Sequence, residues 1–248
     1  MDPVRARHRQ GAVTVVDGVP LPDMQSTLSL LPLSVVGQWL AENADKVGGR
    51  ILDLGAGNQP YRVWYEPLTT SQLAVDVTPS EGLDVLSMSA PLPFQAEVFD
   101  TVLCTSVLEH TDDPEQTIAE ITRTLRPGGH LLITVPFLYP THEAPYDFWR
   151  VTHYGLRRIL ERHGLQVESV AAQGGPLLLV AHYLLGGLGQ AISRAGAIPG
   201  VGRFIDSKLV RWLVAAPQQL LRRLTGPRLS APARAASLGY MAVAVKPA

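Results

Sequence analysis

Three places in the chain carry residues whose types and spacing could do chemistry. The first is Asp53-Leu54-Gly55-Ala56-Gly57, where two glycines close a short apolar run. Without Cβ atoms, they let backbone N–H groups approach a ligand closely. Asp76, 23 positions beyond Asp53, ends a second apolar run, where its carboxylate can accept both hydroxyl protons of a ribose. Together they point to a nucleoside-bearing cofactor and leave nicotinamide and S-adenosyl forms open. A pyrophosphate is the poorer fit: G-x-G-x-x-G needs a third glycine, and Gly57 is followed by Asn58-Gln59-Pro60. The second place is Glu109-His110, just past another apolar run. The third is a loop crowded with polar and aromatic residues: Tyr139, His142, Glu143, Tyr146, Asp147, Trp149, Arg150 and His153.

These groups need a scaffold that brings them to one edge, and the order of elements supplies it. Apolar runs at 50–54, 73–77, 83–86, 99–105, 130–135, 165–171 and 238–245 read as strands. Asp113-Pro114-Glu115 opens a helix with an N-cap, a first-turn proline and an acid near the positive end of the dipole. Ile118, Ile121 and Leu125 then recur at helical spacing until Pro127-Gly128-Gly129 ends it, and residues 153–163 read as another helix. Strands alternating with helices predict an α/β fold, a mostly parallel sheet covered on both faces. In open sheets of this kind, ligands sit at the carboxyl ends of the strands, where all three places fall.

Composition agrees with a single large domain. The chain has 248 residues, 46% hydrophobic and 17% charged, enough to bury a core and too apolar for disorder. One cysteine, Cys104, excludes an intrachain disulfide framework and any Cys-rich zinc module. The first residues lack the apolar run of a secretory signal, so a cytoplasmic chain is expected. The net charge of −1 conceals a division. Residues 51–175 hold seven basic and sixteen acidic side chains, whereas 176–237 hold eight basic against Asp206 alone. Such a break sets residues 176–237 in a different environment from the rest.

Several segments resemble class I S-adenosylmethionine-dependent methyltransferases of the small-molecule kind. ILDLGAG is similar to their first motif and LAVDV to their ribose-binding motif. PLPFQAEVFDTVLCTSVLEH is similar to the approach to their fourth strand, and LRPGGHLLITVP to the entry of their fifth. VPFLYPTHEAPYDFWRVTHYGL resembles members associated with polysaccharide or cell-envelope glycan modification. The resemblance implies a Rossmann-like, seven-stranded, mostly parallel sheet with a reversed last strand, and S-adenosyl-L-methionine as cofactor. By position, Gly55 and Gly57 would accommodate the methionine portion, Asp53 would help hold its amino group, and Asp76 would take the ribose. Many relatives carry an acid for the adenine amino group where this chain reads Ser87-Met88-Ser89. Met88 packing on the purine and Ser89 hydrogen bonding to it are the expected substitutes, with His110 near the sulfonium.

For a hydroxyl acceptor, a positioned base helps remove the proton. His142 is the expected base, because imidazole titrates near neutral pH, and Asp147 either orients it or serves as base itself. Glu143, Tyr146, Trp149 and Arg150 are the expected substrate contacts, the aromatics by stacking and Arg150 by holding an anion or pairing with Asp147. The spacing of His142, Glu143, Asp147 and His153 matches no standard metal pattern, so no metal is expected.

Residues 1–50 read as a helical or irregular N-terminal segment, and 51–173 with 238–248 as the methyltransferase core. Residues 174–237 read as a basic, apolar helical insertion: a lid, a homodimer surface, or a membrane-surface contact through 176–224 at the inner face of a membrane. No nucleic-acid recognition motif accompanies the basic charge, and the core is acidic, so no nucleic-acid partner is expected. The expected reaction is O-methylation of a sugar or glycan hydroxyl, with lipid-linked acceptors included. The alternatives are a small lipophilic phenol or quinone-like acceptor, and a cofactor-binding scaffold without catalysis.

Overall fold

A computed structural model describes residues 14–16, 19–21, 30–184, 187, 230–232 and 236–248. A hairpin of β1 (Thr14–Val16) and β2 (Val19–Leu21) precedes α1 (Leu30–Glu42). Then follow β3 (Gly49–Leu54), the single turn α2 (Arg62–Tyr65), β4 (Thr69–Asp76), β5 (Val85–Leu86) and β6 (Phe99–Thr105). The order continues with α3 (Pro114–Thr124), β7 (Leu125–Pro136), α4 (His153–Arg162), β8 (Gln166–Gln173), β9 (Ser230–Pro232) and β10 (Gly239–Val245). Residues 176–184 are also helical.

The sheet runs β5-β4-β3-β6-β7-β10-β8-β9. Its first five strands are parallel, and β10 lies antiparallel between β7 and β8. This is the expected seven-stranded sheet with a reversed last strand. The short β9 adds an eighth strand inside the segment read as a helical insertion, pairing Ser230 with Gln173 and Pro232 with Ala171. Proline is accommodated there because an edge strand can leave one N–H position unpaired. Most of 174–237, including the basic stretch 201–224, lies outside the described residues. Among the described residues, no helix is long and apolar enough to cross a membrane.

The pleat divides the core between the two faces. Leu52, Leu54, Val102, Cys104, Leu131 and Ile133 pack with Ile118 and Ile121 of α3 and Leu156 and Leu160 of α4. Their neighbours Ile51, Leu103, Leu132, Met241 and Val243 face the other way, onto Val35, Val36, Trp39 and Leu40 of α1 and Leu178 of the 176–184 helix. Both faces of the central strands are thus buried, which is why those strands read as continuous apolar runs.

Local signals set the helix ends. Asp113 caps α3 by accepting from the Gln116 N–H at 3.1 Å, and Thr152 caps α4 by accepting from the Gly155 N–H at 3.1 Å. α3 stops at Thr124, and β7 begins at Leu125 rather than at His130. The chain is already extended when it reaches Pro127-Gly128-Gly129.

Candidate active site

The carboxyl ends of β3, β4, β6 and β7 converge on one edge. After β3 the chain turns sharply, with the Gly55 and Ala56 N–H groups both donating to the Val75 carbonyl at 2.8 and 3.0 Å. Gly55 has φ +70°, and Val107 Cγ2 fills the place its Cβ would take, so backbone and packing both require glycine. Gly57, at φ +50°, differs: a Cβ there would meet nothing within 4 Å. Its face of the loop is open to a ligand.

Asp76 ties this loop to β4. Its Oδ2 accepts from the Gly57 N–H and its Oδ1 from the Thr78 N–H, each at 2.8 Å. Each carboxylate oxygen keeps a second lone pair, which suits the two hydroxyls of a ribose. Asp53 lies beneath, 3% exposed, and accepts from the Tyr65 hydroxyl at 2.7 Å. Burial pushes its carboxyl up to about 6, with the Tyr65 hydrogen bond opposing and the Asp76 charge adding to the rise. Past β5, Met88 presents an exposed apolar side chain that suits a purine face, whereas the Ser89 hydroxyl already lies 3.3 Å from Thr117 Oγ1 of α3. An open glycine loop, a carboxylate with free lone pairs and an exposed apolar side chain together fit an adenosyl cofactor.

The other half of the site is built on the 3₁₀ turn Leu108–His110 that follows β6. Glu109 is buried to 1% exposure, and neither carboxylate oxygen accepts a hydrogen bond. Two imidazoles face it. His110 Nε2 lies 3.8 Å from Glu109 Oε1, while its Nδ1 sits 2.6 Å from the Tyr146 carbonyl. His142 Nε2 lies 3.7 Å from the same oxygen, and its Nδ1 sits 3.3 Å from both Asp147 Oδ2 and the Pro140 carbonyl. The Glu109 carboxylate, and behind it Asp147, raise the His142 imidazole above its ordinary value against the opposing effect of burial.

The loop bearing His142 is pinned at several points. Arg150 grips Asp147 through two nitrogens, at 2.5 and 2.6 Å, and holds its carboxyl well below the usual carboxylate range. Asp147 Oδ2 also accepts from the His142 N–H at 3.0 Å. The Trp149 Nε1 donates to the Thr111 carbonyl at 2.8 Å, and the Phe148 N–H to the Glu109 carbonyl at 2.7 Å. Beside the loop is a cavity of about 360 Å³ lined by Phe137, Leu138, Tyr139, Thr141, Asp147, Phe148, Arg150 and Tyr183.

The structure therefore brings His110, His142, Glu143, Tyr146 and Asp147 together, with Arg150 spent on Asp147 rather than free for an anion. Tyr146 is exposed, and Trp149 is partly committed to the backbone of the preceding turn. His153 departs from the group: it opens α4, and its ring packs on Tyr154 and Tyr240. Sequence reasoning gave no part to Tyr65, Phe137, Phe148, Tyr183 or His182, the last of which stacks on Tyr139 with ring centres 5.1 Å apart. Their spacing carries no periodicity. Glu109 had a legible signal, an acid just past a buried strand, but only the fold shows that its carboxylate turns inward.

Residues 52–133 match the family model described as a methyltransferase domain. An uncharacterized methyltransferase of Mycolicibacterium paratuberculosis is 26% identical over 182 residues, covering 67% of this chain and 70% of the relative. A ubiquinone biosynthesis O-methyltransferase of Xanthomonas oryzae pv. oryzae is 29% identical over 111 residues, covering 39% of this chain and 46% of its own length. Among solved structures, the [4+2]-cyclase SpnF superposes with a TM-score of 0.56 at 18% identity, over 92% of this chain and 86% of that one, a likeness of fold. Residues 52–133 thus carry a methyltransferase domain, set in the fold of class I S-adenosylmethionine-dependent methyltransferases and with S-adenosylmethionine as its cofactor.

Proposed function

We propose that this methyltransferase methylates a hydroxyl oxygen of a sugar or glycan acceptor whose ring lies in the cavity beside His142. The observation that carries this reading is the position of His142. Its imidazole is oriented by Asp147, faces Glu109, and belongs to the same pinned loop that lines a cavity with both aromatic faces and polar groups. Tyr139, Phe148 and Tyr183 offer stacking surfaces for a ring, while Thr141 offers hydrogen bonding.

The cofactor supplies a methyl group already activated on a sulfonium. Transfer to an acceptor oxygen would leave the cofactor as the neutral thioether, which takes the electron pair of the broken carbon–sulfur bond, so the proton of the acceptor hydroxyl is what the chain itself must remove. His142 Nε2 is the group placed to take it. The Asp147 carboxylate and Pro140 carbonyl can only accept, so Nδ1 carries the ring proton and Nε2 keeps its lone pair. Asp147, held ionised by Arg150, orients the imidazole and balances the charge it gains. Gly55, Gly57 and Asp76 would hold the cofactor, with buried Asp53 beneath them and Met88 available to its purine.

A second reading, a lipophilic phenol or quinone-like acceptor, draws support from the apolar share of the cavity wall and from the similarity to a ubiquinone biosynthesis O-methyltransferase. Transfer of labelled methyl from S-adenosylmethionine into a host-cell extract separates the two. After phase separation and acid hydrolysis, label in an O-methyl sugar supports the first reading, whether it starts in the aqueous or the lipid phase. Label in an aryl methyl ether supports the second. Label on nitrogen or carbon overturns both.

A further inference from the structure

We propose that Glu109, His110 and His142 bind one divalent transition-metal cation, of the manganese-to-zinc series, at the acceptor end of the site. The three donor atoms lie within 4.8 Å of one another. His110 Nε2 and His142 Nε2 stand 3.8 and 3.7 Å from Glu109 Oε1, and these separations, with the wider one of up to 4.8 Å, would close toward the ~3.4 Å between neighbouring donors of a tetrahedral ion with ligand distances of ~2.1 Å.

Three independent features favour an ion over a simple cluster of ion pairs. Glu109 is 1% exposed with neither oxygen hydrogen-bonded, and a buried carboxylate without partners is costly unless a cation compensates it. The two imidazole rings stand 4.8 Å apart on either side of that carboxylate, so a single divalent cation held by both would compensate Glu109. The tautomers are also set for ligation. The Tyr146 carbonyl takes the His110 Nδ1 proton, and the Asp147 carboxylate with the Pro140 carbonyl takes that of His142, leaving both Nε2 lone pairs turned toward Glu109. Carboxylate and carbonyl partners behind metal-bound imidazoles serve this purpose generally.

The donor set also selects the ion. Two imidazole nitrogens and one carboxylate oxygen suit manganese, iron, cobalt or zinc better than magnesium or calcium, which prefer all-oxygen shells. Three protein donors leave positions open for the acceptor. Exposed Glu143, its Oε2 3.9 Å from His110 Nε2, could add a fourth oxygen from the solvent side. The proposal rests on the O-methylation reading for its use: the cation would acidify the acceptor hydroxyl as a Lewis acid, and His142 would then be a ligand rather than the base.

Direct binding tests it on the full chain after EDTA treatment and removal of the chelator. Titration calorimetry with zinc chloride, paramagnetic resonance with manganese and the visible spectrum with cobalt report stoichiometry and ligand type. One ion per chain is expected, with affinity reduced at least thirtyfold in Glu109→Gln and in His142→Ala. Both variants should bind S-adenosylhomocysteine within twofold of the parent, which shows that they fold. His163→Ala, a histidine paired with Glu115 away from the site, should leave metal affinity unchanged. No stoichiometric ion, or one unaffected by Glu109→Gln and His142→Ala, overturns the proposal. Methyl transfer by metal-free enzyme that is lost in His142→Ala removes the Lewis-acid use of the ion and leaves the base reading intact. Site-dependent metal binding supports the proposal even where no hydroxyl product forms; in that case only the acceptor reading fails.

Discussion

Val107 Cγ2 occupies the place where a Cβ on Gly55 would stand, so the turn after β6 rests directly on the glycine turn after β3. This contact couples the two halves of the site, because Val107 leads within three residues to Glu109 and His110. Gly55→Ala must displace Val107 and hold a side chain at φ +70°. We expect it to lose about 2–4 kcal/mol of stability and at least tenfold in S-adenosylhomocysteine affinity. Gly57→Ala meets open space and should cost only about 1 kcal/mol by the same strain, while its new methyl enters the cofactor volume. Thermal melts and calorimetry compare the two. Equal stability losses would remove the Val107 contact from the explanation.

Asp76 has two functions that can be separated. Asp76→Asn keeps one oxygen for a backbone N–H, whereas Asp76→Ala releases both the Gly57 and the Thr78 tethers. Both should weaken S-adenosylhomocysteine, Asp76→Ala by about 2 kcal/mol or roughly thirtyfold, since charge-assisted hydrogen bonds to ribose hydroxyls are lost. Unchanged affinity in Asp76→Ala would sink the ribose assignment.

Asp53 gives a pH dependence with a defined sign. Its folded-state value is raised from an ordinary 3.8 to about 6, so the folded protein holds a proton that the unfolded chain releases. Stability is therefore lost as pH rises through that window, reaching about 3 kcal/mol above pH 6 from a shift of about two units. Asp53→Asn keeps an acceptor for Tyr65 without the charge. Its melting temperature should exceed the parent's at pH 7.5 and converge on it only below pH 3.8, where the carboxyl is protonated in the folded and the unfolded chain alike. A gap independent of pH would contradict the buried charge as its cause.

Arg150→Met would leave the Asp147 carboxylate, with its side chain 2% exposed, without its main partner. A loss of about 3–5 kcal/mol is expected, and Asp147→Asn combined with Arg150→Met should recover at least half of it. Full additivity of the two losses in chemical denaturation would show that the pair is not coupled.

Much of the core was legible from the chain alone. The strands at 50–54, 73–77, 99–105, 130–135 and 238–245 were readable because the central strands of the mixed sheet are buried on both faces, leaving continuous apolar runs. The caps Asp113 and Thr152 act over three residues, so helix starts could be read locally for the same reason. Gly55, Gly57 and Asp76 were also visible, since a tight turn and a strand end fix their backbone before any packing.

Tertiary structure alone decided how the chemistry is shared. Arg150 was equally suited to an anionic ligand or to Asp147, and only the folded loop commits it to Asp147. Glu109 and His142 are separated by a whole strand, and no periodicity links them; their approach to 3.7 Å depends on β6 and β7 being parallel neighbours. β9 was hidden because a three-residue edge strand is held by its partner β8, not by its own pattern. Short-range signals follow from backbone conformation and burial, which each residue carries with it. The convergence of Glu109, His110 and His142 depends on the order of strands in the sheet, which no single segment contains.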